Sequence, residues 1–467
     1  MAVNALANAA EKAMNAVPTS ITNHISNPAQ EEGKFADPNA EKMKALVWEG
    51  AMKVKVAESL KPRVVDPKDI VIQVTGTTVC GSDMHLLAGA IIELQKHDIL
   101  GHEAMGIVSQ VGPEVKNLKV GDRVVAGFNI GCDGEECMMC AKGLSSACIK
   151  TNASATMQSM YGNRTCGMLG YSHFTGGFAG GQAEYTRIPY GEANCIKIPE
   201  GVYDEDALYL SDSLVTSFHQ VEDTGVEKGD VVGIWGVGVI GLLAGIWSAM
   251  RGASHIIAID DTQWRLDNFV EKVKKEYPNV IVDTINFSEV KDVPAKVKEL
   301  AKPGANGLPA SRPAGLDVGF ECAAGEYAKG WAHKLELATA LETDTSEILN
   351  EIIESTINYG RIGITGVYAG YTNHFNIGSL MQRGIRFIGN GQAPTHKYMQ
   401  RILDDYLLTG KIKPRELFVT HRFSIDDIDK VYYSMRNRDP KDKILKSFIA
   451  TSASAPPAPG APPLTRL

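Results

Sequence analysis

The chain has 467 residues, 44% of them hydrophobic, which at roughly 100–200 residues per domain predicts two or three domains with large cores and excludes a small single module. Its 47 basic residues against 55 acidic ones leave a net charge of -8, with no basic block to mark a nucleic-acid or anionic-lipid partner, so small molecules and other subunits are the expected partners. No apolar run approaches the ~20 residues of a membrane span, and the first ten residues hold no Lys or Arg and no cleavage site, which predicts a cytoplasmic protein with reduced cysteines.

Residues 1–43 are rich in Ala, Asn and Glu and are broken by Pro18, Pro28 and Pro38, which predicts a disordered N-terminal extension. From 44 to 211 short β-rich runs such as DIVIQVTGTTV and GDRVVAGF alternate with Gly, Pro and Asp turns, so a mainly β domain is expected with its chemistry in the loops. Cys80-Gly-Ser82-Asp-Met-His85 closes one such run, and Gly101-His102-Glu103 follows. A thiolate, an imidazole and a further acid are the donors of a catalytic zinc with one open position. Singly, a buried Cys or a hydrogen-bonded His is the commoner reading; it is the joint pattern that points to metal.

Cys132, Cys137, Cys140 and Cys148 fall within seventeen residues, and in a reducing compartment such a cluster reads as metal ligation, the alternative being free thiols. Cys166, Cys195 and Cys322 read as packing cysteines, and His219, His333 and His421 as structural histidines.

At Asp230 the texture changes. An apolar strand VVGIW leads into Gly236-Val-Gly238-Val239-Ile240-Gly241, an apolar stretch of helical length follows, and the strand IIAID ends on Asp260, nineteen residues after Gly241. In that context the glycines provide a tight turn, close approach of a pyrophosphate and close helix–strand packing, with the phosphates on the helix N-terminus. Asp260 would take the ribose hydroxyls. Asp261 adds a second carboxylate, and the nearest arginine, Arg265, stands one helical turn on, so NAD is favoured over NADP. A glycine turn that only packs is the competing reading. Strands at GLDVGFECA and GRIGITGVY, and a helix over SEILNEIIESTINY with Asp344 and Glu347 at capping-box spacing, continue the alternation of a parallel sheet over 212–388. Residues 389–450 return to mixed structure, with HRFSIDDIDKVYYSMRN as a strand feeding an amphipathic helix. The last segment, 451–467, has five prolines and predicts a disordered, polyproline-like tail.

In its CGSDMH and GHE segments, the cysteine cluster and GVGVIG, in that order, the chain resembles the zinc-dependent medium-chain alcohol dehydrogenases over about residues 44–450. Through FNIGC, GGQAEYTRIPY, LSDSLVTSFH and GRIGITGVYAG it is most similar to the glutathione-independent formaldehyde dehydrogenase branch. The resemblance implies an α/β protein with a groES-like catalytic domain, a Rossmann doubly wound domain and a cleft between them. It implies Asp212 as third ligand of the catalytic zinc, where other branches use Cys or Glu. From the residues alone the competing reading of Asp212 is an acid that caps the following helix. Glu103 is then a neighbour of the ligands or a transient ligand. The resemblance also implies a structural zinc on the four cysteines, hence two zincs per chain. The usual spacing C-x2-C-x2-C-x7-C is here C-x4-C-x2-C-x7-C, with Gly134 where the first cysteine would fall, which puts Cys132 in question.

The reaction expected is hydride transfer from a primary alcohol or a formaldehyde-like aldehyde hydrate to NAD. Ser82 would take the proton and, by resemblance, pass it through the cofactor ribose to His85. Other alcohols or polyols remain open as substrates, and a non-catalytic nucleotide sensor of the same fold is the rival from another class. Relatives in the family are dimers or tetramers, so a homo-oligomer is expected. Thr465-Arg466-Leu467 echoes a peroxisomal ending, although threonine departs from the S-K-L type.

Overall fold

The structure, a computed structural model, describes Ala36 and residues 41–135, 137–323, 345–368, 370, 372–438 and 441–467. The extension expected over 1–43 therefore falls largely outside the described residues, as do Asp344 and His333. The rest forms two compact units, one drawn from Met1–Val215 and Pro394–Leu467, the other from Thr216–Ala393.

The first unit holds β1 (Lys42–Gly50), β2 (Lys53–Leu60), β3 (Ile70–Thr77), β4 (Ala104–Val111), β5 (Arg123–Ala126), β6 (Asn129–Ile130), β7 (Gly167–Met168), β8 (Tyr185–Ile188) and β9 (Cys195–Lys197). The second holds β10 (Val231–Trp235), β11 (His255–Asp260), β12 (Ile281–Asn286), β13 (Leu316–Glu321), β14 (Thr356–Ile364) and β15 (Arg386–Gly389). The chain then returns to the first unit with β16 (Val419–Ser424) and β17 (Lys446–Ala450).

In the first unit a mostly antiparallel sheet runs β16-β17-β3-β4-β5-β9, with β8 also pairing with β3, beside the β1-β2 hairpin and the short β6-β7 pair. Ile70, Ile72 and Val74 of β3 share a core with Val108, Val124 and Ile188. Val71 and Thr75 on the opposite face are buried as well, so β3 is covered on both sides. In the second unit the order is β12-β11-β10-β13-β14-β15 and every pairing is parallel. Counted from β10 this is the 3-2-1-4-5-6 arrangement of a Rossmann sheet. All five residues of β10 are buried, as a strand covered on both faces requires.

Five expectations need correction, the last of them the C-terminal tail. The run before Cys80 stops pairing at Thr77, so Cys80 lies in the turn that leads to a helix over Asp83–Ala88. The helix expected over SEILNEIIESTINY ends at Ser355, and Thr356 opens β14; the β-branched Thr356 and Ile357 favour the strand. The boundary expected at 212 falls after Val215 instead, because the turn before Asp212 is tied into the first unit: Ser211 O accepts from Phe128 N at 3.0 Å and Tyr209 Oη donates to Ser447 O at 3.0 Å. The boundary expected at 389 likewise falls later, at Pro394, since Asn390 Nδ2 donates to Asp223 Oδ2 at 2.9 Å in the second unit.

The C-terminal tail is not disordered. A proline-rich strand offers carbonyls with few N–H groups, and arginines of the first unit satisfy them. Arg422 reaches Ala455 O at 2.6 Å and pairs with Glu205, whose other contact is Ala458 N; Arg415 reaches Pro459 O at 2.9 Å and pairs with Asp206. At the end, Thr465 N donates to Arg422 O at 2.7 Å, Arg466 pairs with Asp427 at 2.9 Å, and Lys430 Nζ donates to Leu467 O at 2.8 Å. No helix among the described residues is long and apolar enough to cross a membrane.

Candidate functional site

Two groups of ligand-type atoms stand out, both in the first unit. In one, a ligand atom from each of Cys80, His102, Glu103 and Asp212 lies within 4.8 Å of the others. The elements that deliver them are far apart in sequence: the turn after β3, the loop into β4 and the irregular residue between the turn at 208–211 and the helix Ser213–Thr224. His102 Nε2 is 3.3 Å from Asp212 Oδ2 and 3.7 Å from Glu103 Oε1, and Cys80 Sγ is 4.0 Å from Asp212 Oδ2. His102 and Glu103 are almost wholly buried, yet His102 Nδ1 and Nε2 and Glu103 Oε2 have no hydrogen-bond partner. Buried polar atoms left without partners are costly; His102 Nε2 is turned toward Asp212 and Glu103, while Nδ1 is turned toward Asp83.

Four residues that sequence reasoning missed, Asp83, Gln182, Tyr432 and Lys446, hold this group in place. Asp83 Oδ2 accepts from Cys80 N at 2.9 Å and from Gln182 Nε2 at 3.2 Å, while its Oδ1 lies 3.4 Å from His102 Nδ1. Tyr432 Oη donates to Gln182 Oε1 at 2.8 Å. Lys446, fully buried on β17, donates to Glu103 Oε1 at 2.5 Å. Burial pushes the Glu103 carboxyl up and Lys446 pulls it down, with a net rise. Burial would lower the Lys446 ammonium, but Cys80, Glu103 and Asp212 together hold it above its usual value. The position of Asp83 three residues after Cys80 was a signal available in the sequence; Lys446 gave none, being more than three hundred residues from Glu103.

In the second group, Cys132, Cys137, Cys140 and Cys148 bring their sulfurs within 4.8 Å of one another. The irregular spacing is absorbed by Gly134, whose φ of +81° is one that side-chain-bearing residues rarely adopt and whose N–H points to the Cys132 sulfur. Hydrogen bonds from Cys132 and Cys140 drive the Cys148 thiol far below its usual value, and the Cys132 thiol is pushed up to about 12. Cys166 packs against the same sulfurs, and burial raises it, as it does Cys195 and Cys322. His421 stacks on Phe423 with ring centroids 5.4 Å apart, and His219 is buried.

The glycine loop lies in the second unit, between β10 and the helix Val239–Met250. A Cβ on Gly236 would meet Ala323 backbone at 2.9 Å and one on Gly241 would meet Gly236 O at 2.0 Å, whereas one on Gly238 would meet nothing within 4 Å. The first and third glycines are therefore required by packing, and the second faces open space of the kind a phosphate needs. Asp260 Oδ2 accepts from Val237 N at 2.8 Å and Oδ1 from Thr262 N at 2.9 Å, so this carboxylate also braces the loop. Asp261 accepts from Thr262 Oγ1 at 2.8 Å. Val239 and Ile240 open the helix, and Arg265 lies on the next one with its guanidinium 5.5 Å from the Trp264 ring centre. Ser82 stands at the N-terminus of the helix that carries His85.

Residues 66–200 match the family model of the alcohol dehydrogenase GroES-like domain. A zinc-type alcohol dehydrogenase-like protein of Schizosaccharomyces pombe is 37% identical over 397 residues, 85% of this chain and 88% of that one. A glutathione-independent formaldehyde dehydrogenase of Pseudomonas aeruginosa is 28% identical over 427 residues, 86% of this chain and 97% of the relative. Among solved structures, an alcohol dehydrogenase from Thermus sp. ATN1 superposes with a TM-score of 0.67 at 27% identity, covering 88% of this chain and all of the other.

Proposed function

The chain belongs to the zinc-type alcohol dehydrogenases of the medium-chain family, and on that premise we propose that it oxidises a primary alcohol or a small aldehyde hydrate, formaldehyde's in particular, with NAD as acceptor. The observation that carries this is the buried convergence of Cys80, His102 and Asp212, with Glu103 beside them. The donor set fits zinc: one thiolate, one imidazole and one carboxylate, with ligand atoms within 4.8 Å of one another and His102 Nε2 lacking a hydrogen-bond partner. Cys80 and Asp212 balance the double charge of such an ion, and Glu103 with Lys446 is a neutral pair beside it. The four cysteines fit a second, structural zinc, which their thiolates would hold as a closed site.

A zinc ion on Cys80, His102 and Asp212 would act as a Lewis acid toward the substrate oxygen, and NAD on the glycine loop would accept hydride. The residues of the chain handle the rest. Ser82 takes the O–H proton and His85, one turn along the same helix, passes it outward. Loss of a hydride from carbon to NAD, together with the proton taken by Ser82, would turn an alcohol into an aldehyde and formaldehyde hydrate into formic acid. Gly236, Gly238 and Gly241 with the helix N-terminus at Val239 and Ile240 hold the pyrophosphate. Asp260 holds the adenine ribose, and with Asp261 disfavours a 2′-phosphate that Arg265 alone would have to balance. The working enzyme is a homo-oligomer, dimer or tetramer.

The formaldehyde assignment draws support from the Pseudomonas aeruginosa relative. Initial rates of NAD reduction over formaldehyde, short and long primary alcohols, secondary alcohols and polyols test it: highest kcat/KM for formaldehyde or a primary alcohol is expected, and a polyol or secondary alcohol at the top would overturn it. Asp212→Asn should cut turnover strongly with the fold intact; near-normal turnover removes Asp212 as a ligand.

A further inference from the structure

Tyr171 is a residue the reaction so far does not use. It follows β7 in the segment Gly170-Tyr171-Ser172-His173. Its ring meets the His102 imidazole edge-on, centroids 5.2 Å apart at 68°, and its other side packs on the apolar cluster that contains Val79, Leu86 and Leu94. It is half-buried. Its hydroxyl lies within hydrogen-bonding reach of the Ser82 side chain, and its ring stands against His102 of the candidate metal group. A phenylalanine would fill the same space and make the same edge-on contact; the hydroxyl is the part that packing does not explain.

We infer that Tyr171 and Ser82 form a two-hydroxyl platform that selects an aldehyde hydrate over a simple alcohol. The inference rests on the functional reading above. An alcohol presents one oxygen, which the metal group and Ser82 satisfy between them. A hydrate presents two on the same carbon, and the second, once shut away from water, needs its own partner. A site built to hydrogen-bond a hydroxyl discriminates against a ligand that lacks it, because the polar group of the site is then left unpaired. Tyr171 supplies that partner beside Ser82, and its ring against His102 fixes where the hydroxyl stands.

The test uses zinc-loaded full-length protein with ADP-ribose in place of NAD, so that no hydride is transferred. Dissociation constants for 2,2,2-trifluoroethanol and for trifluoroacetaldehyde hydrate, which differ by one hydroxyl, are measured by calorimetry for the wild type and for Tyr171→Phe, with zinc content as the check on integrity. The wild type should favour the hydrate, and Tyr171→Phe should shrink that preference by roughly tenfold, the weight of one neutral hydrogen bond. An equal preference in both proteins overturns the role of Tyr171. Failure of the wild type to oxidise formaldehyde overturns the functional reading instead, and is read separately from the ratio of constants.

Discussion

Lys446 offers the sharpest test of how the candidate site is built. It is fully buried and is ion-paired with Glu103, itself 1% exposed, at 2.5 Å. Lys446→Met keeps most of the side-chain volume and removes the charge. Glu103 is then a buried carboxylate whose Oε2 already lacks a partner and whose Oε1 has lost its own. Breaking one side of a buried pair costs about 3–5 kcal/mol, whereas replacing both sides by groups of like volume is close to neutral. At roughly 2–4 °C per kcal/mol for a domain of 150–250 residues, the single variant should lose on the order of 6–20 °C in Tm. Lys446→Met combined with Glu103→Leu should recover most of that. With Cys80, Glu103 and Asp212 as three negative groups against one lysine, the loss should be larger in chelator-stripped protein than in zinc-loaded protein. Differential scanning calorimetry on the two variants, with and without zinc, measures all of this. A single variant within about 1 kcal/mol of wild type, or a double variant as unstable as the single, would refute the reasoning.

Metal analysis should find two zincs per chain in the wild type and one in Cys132→Ser, since Cys132 completes the four-sulfur group despite its spacing; two in the variant would mean that Cys132 binds nothing. Asp260→Ala should shift preference from NAD toward NADP and also loosen the glycine loop, because the same carboxylate accepts from Val237 N; fluorescence titration with NADH and NADPH reads both, and an unchanged ratio counts against the ribose contact. Deleting residues 455–467 leaves Arg422, Glu205 and Arg415 each short of a partner, so the truncated protein should unfold at lower denaturant than full length, and an unchanged midpoint would show that the tail adds nothing. His255 is buried with Nε2 2.8 Å from Asp283 Oδ2, and burial outweighs that partner and lowers its pKa. The folded state thus binds this proton more weakly than the unfolded one, so its contribution is present above an unfolded pKa of about 6.5 and is lost as pH falls below it; His255→Leu should flatten that part of the stability profile measured by urea unfolding at pH 5 and 7.5.

What the sequence determined by itself was whatever local pattern encodes. The glycine spacing of 236, 238 and 241 between an apolar strand and an apolar helix, with Asp260 closing the next strand, specifies a βαβ unit because each glycine answers a steric demand within a few residues. The β-rich runs of β3 and β5 between turn residues specified a β domain in the same way, and Cys80 and His102 were visible as metal-ligand types beside such runs. The rest depended on groups that meet only when the chain is folded. Asp212 joins Cys80 across more than a hundred residues, and Lys446 meets Glu103 through a parallel β16-β17 pair laid beside β3; no spacing along the chain announces either. Gly134 decided the fate of Cys132, since a positive φ at that one residue turns an irregular spacing into four converging sulfurs. The tail misled for the same reason. Its prolines do argue against regular structure, but whether such a segment is free depends on donors elsewhere, and Arg415 and Arg422 supply them only in the tertiary fold.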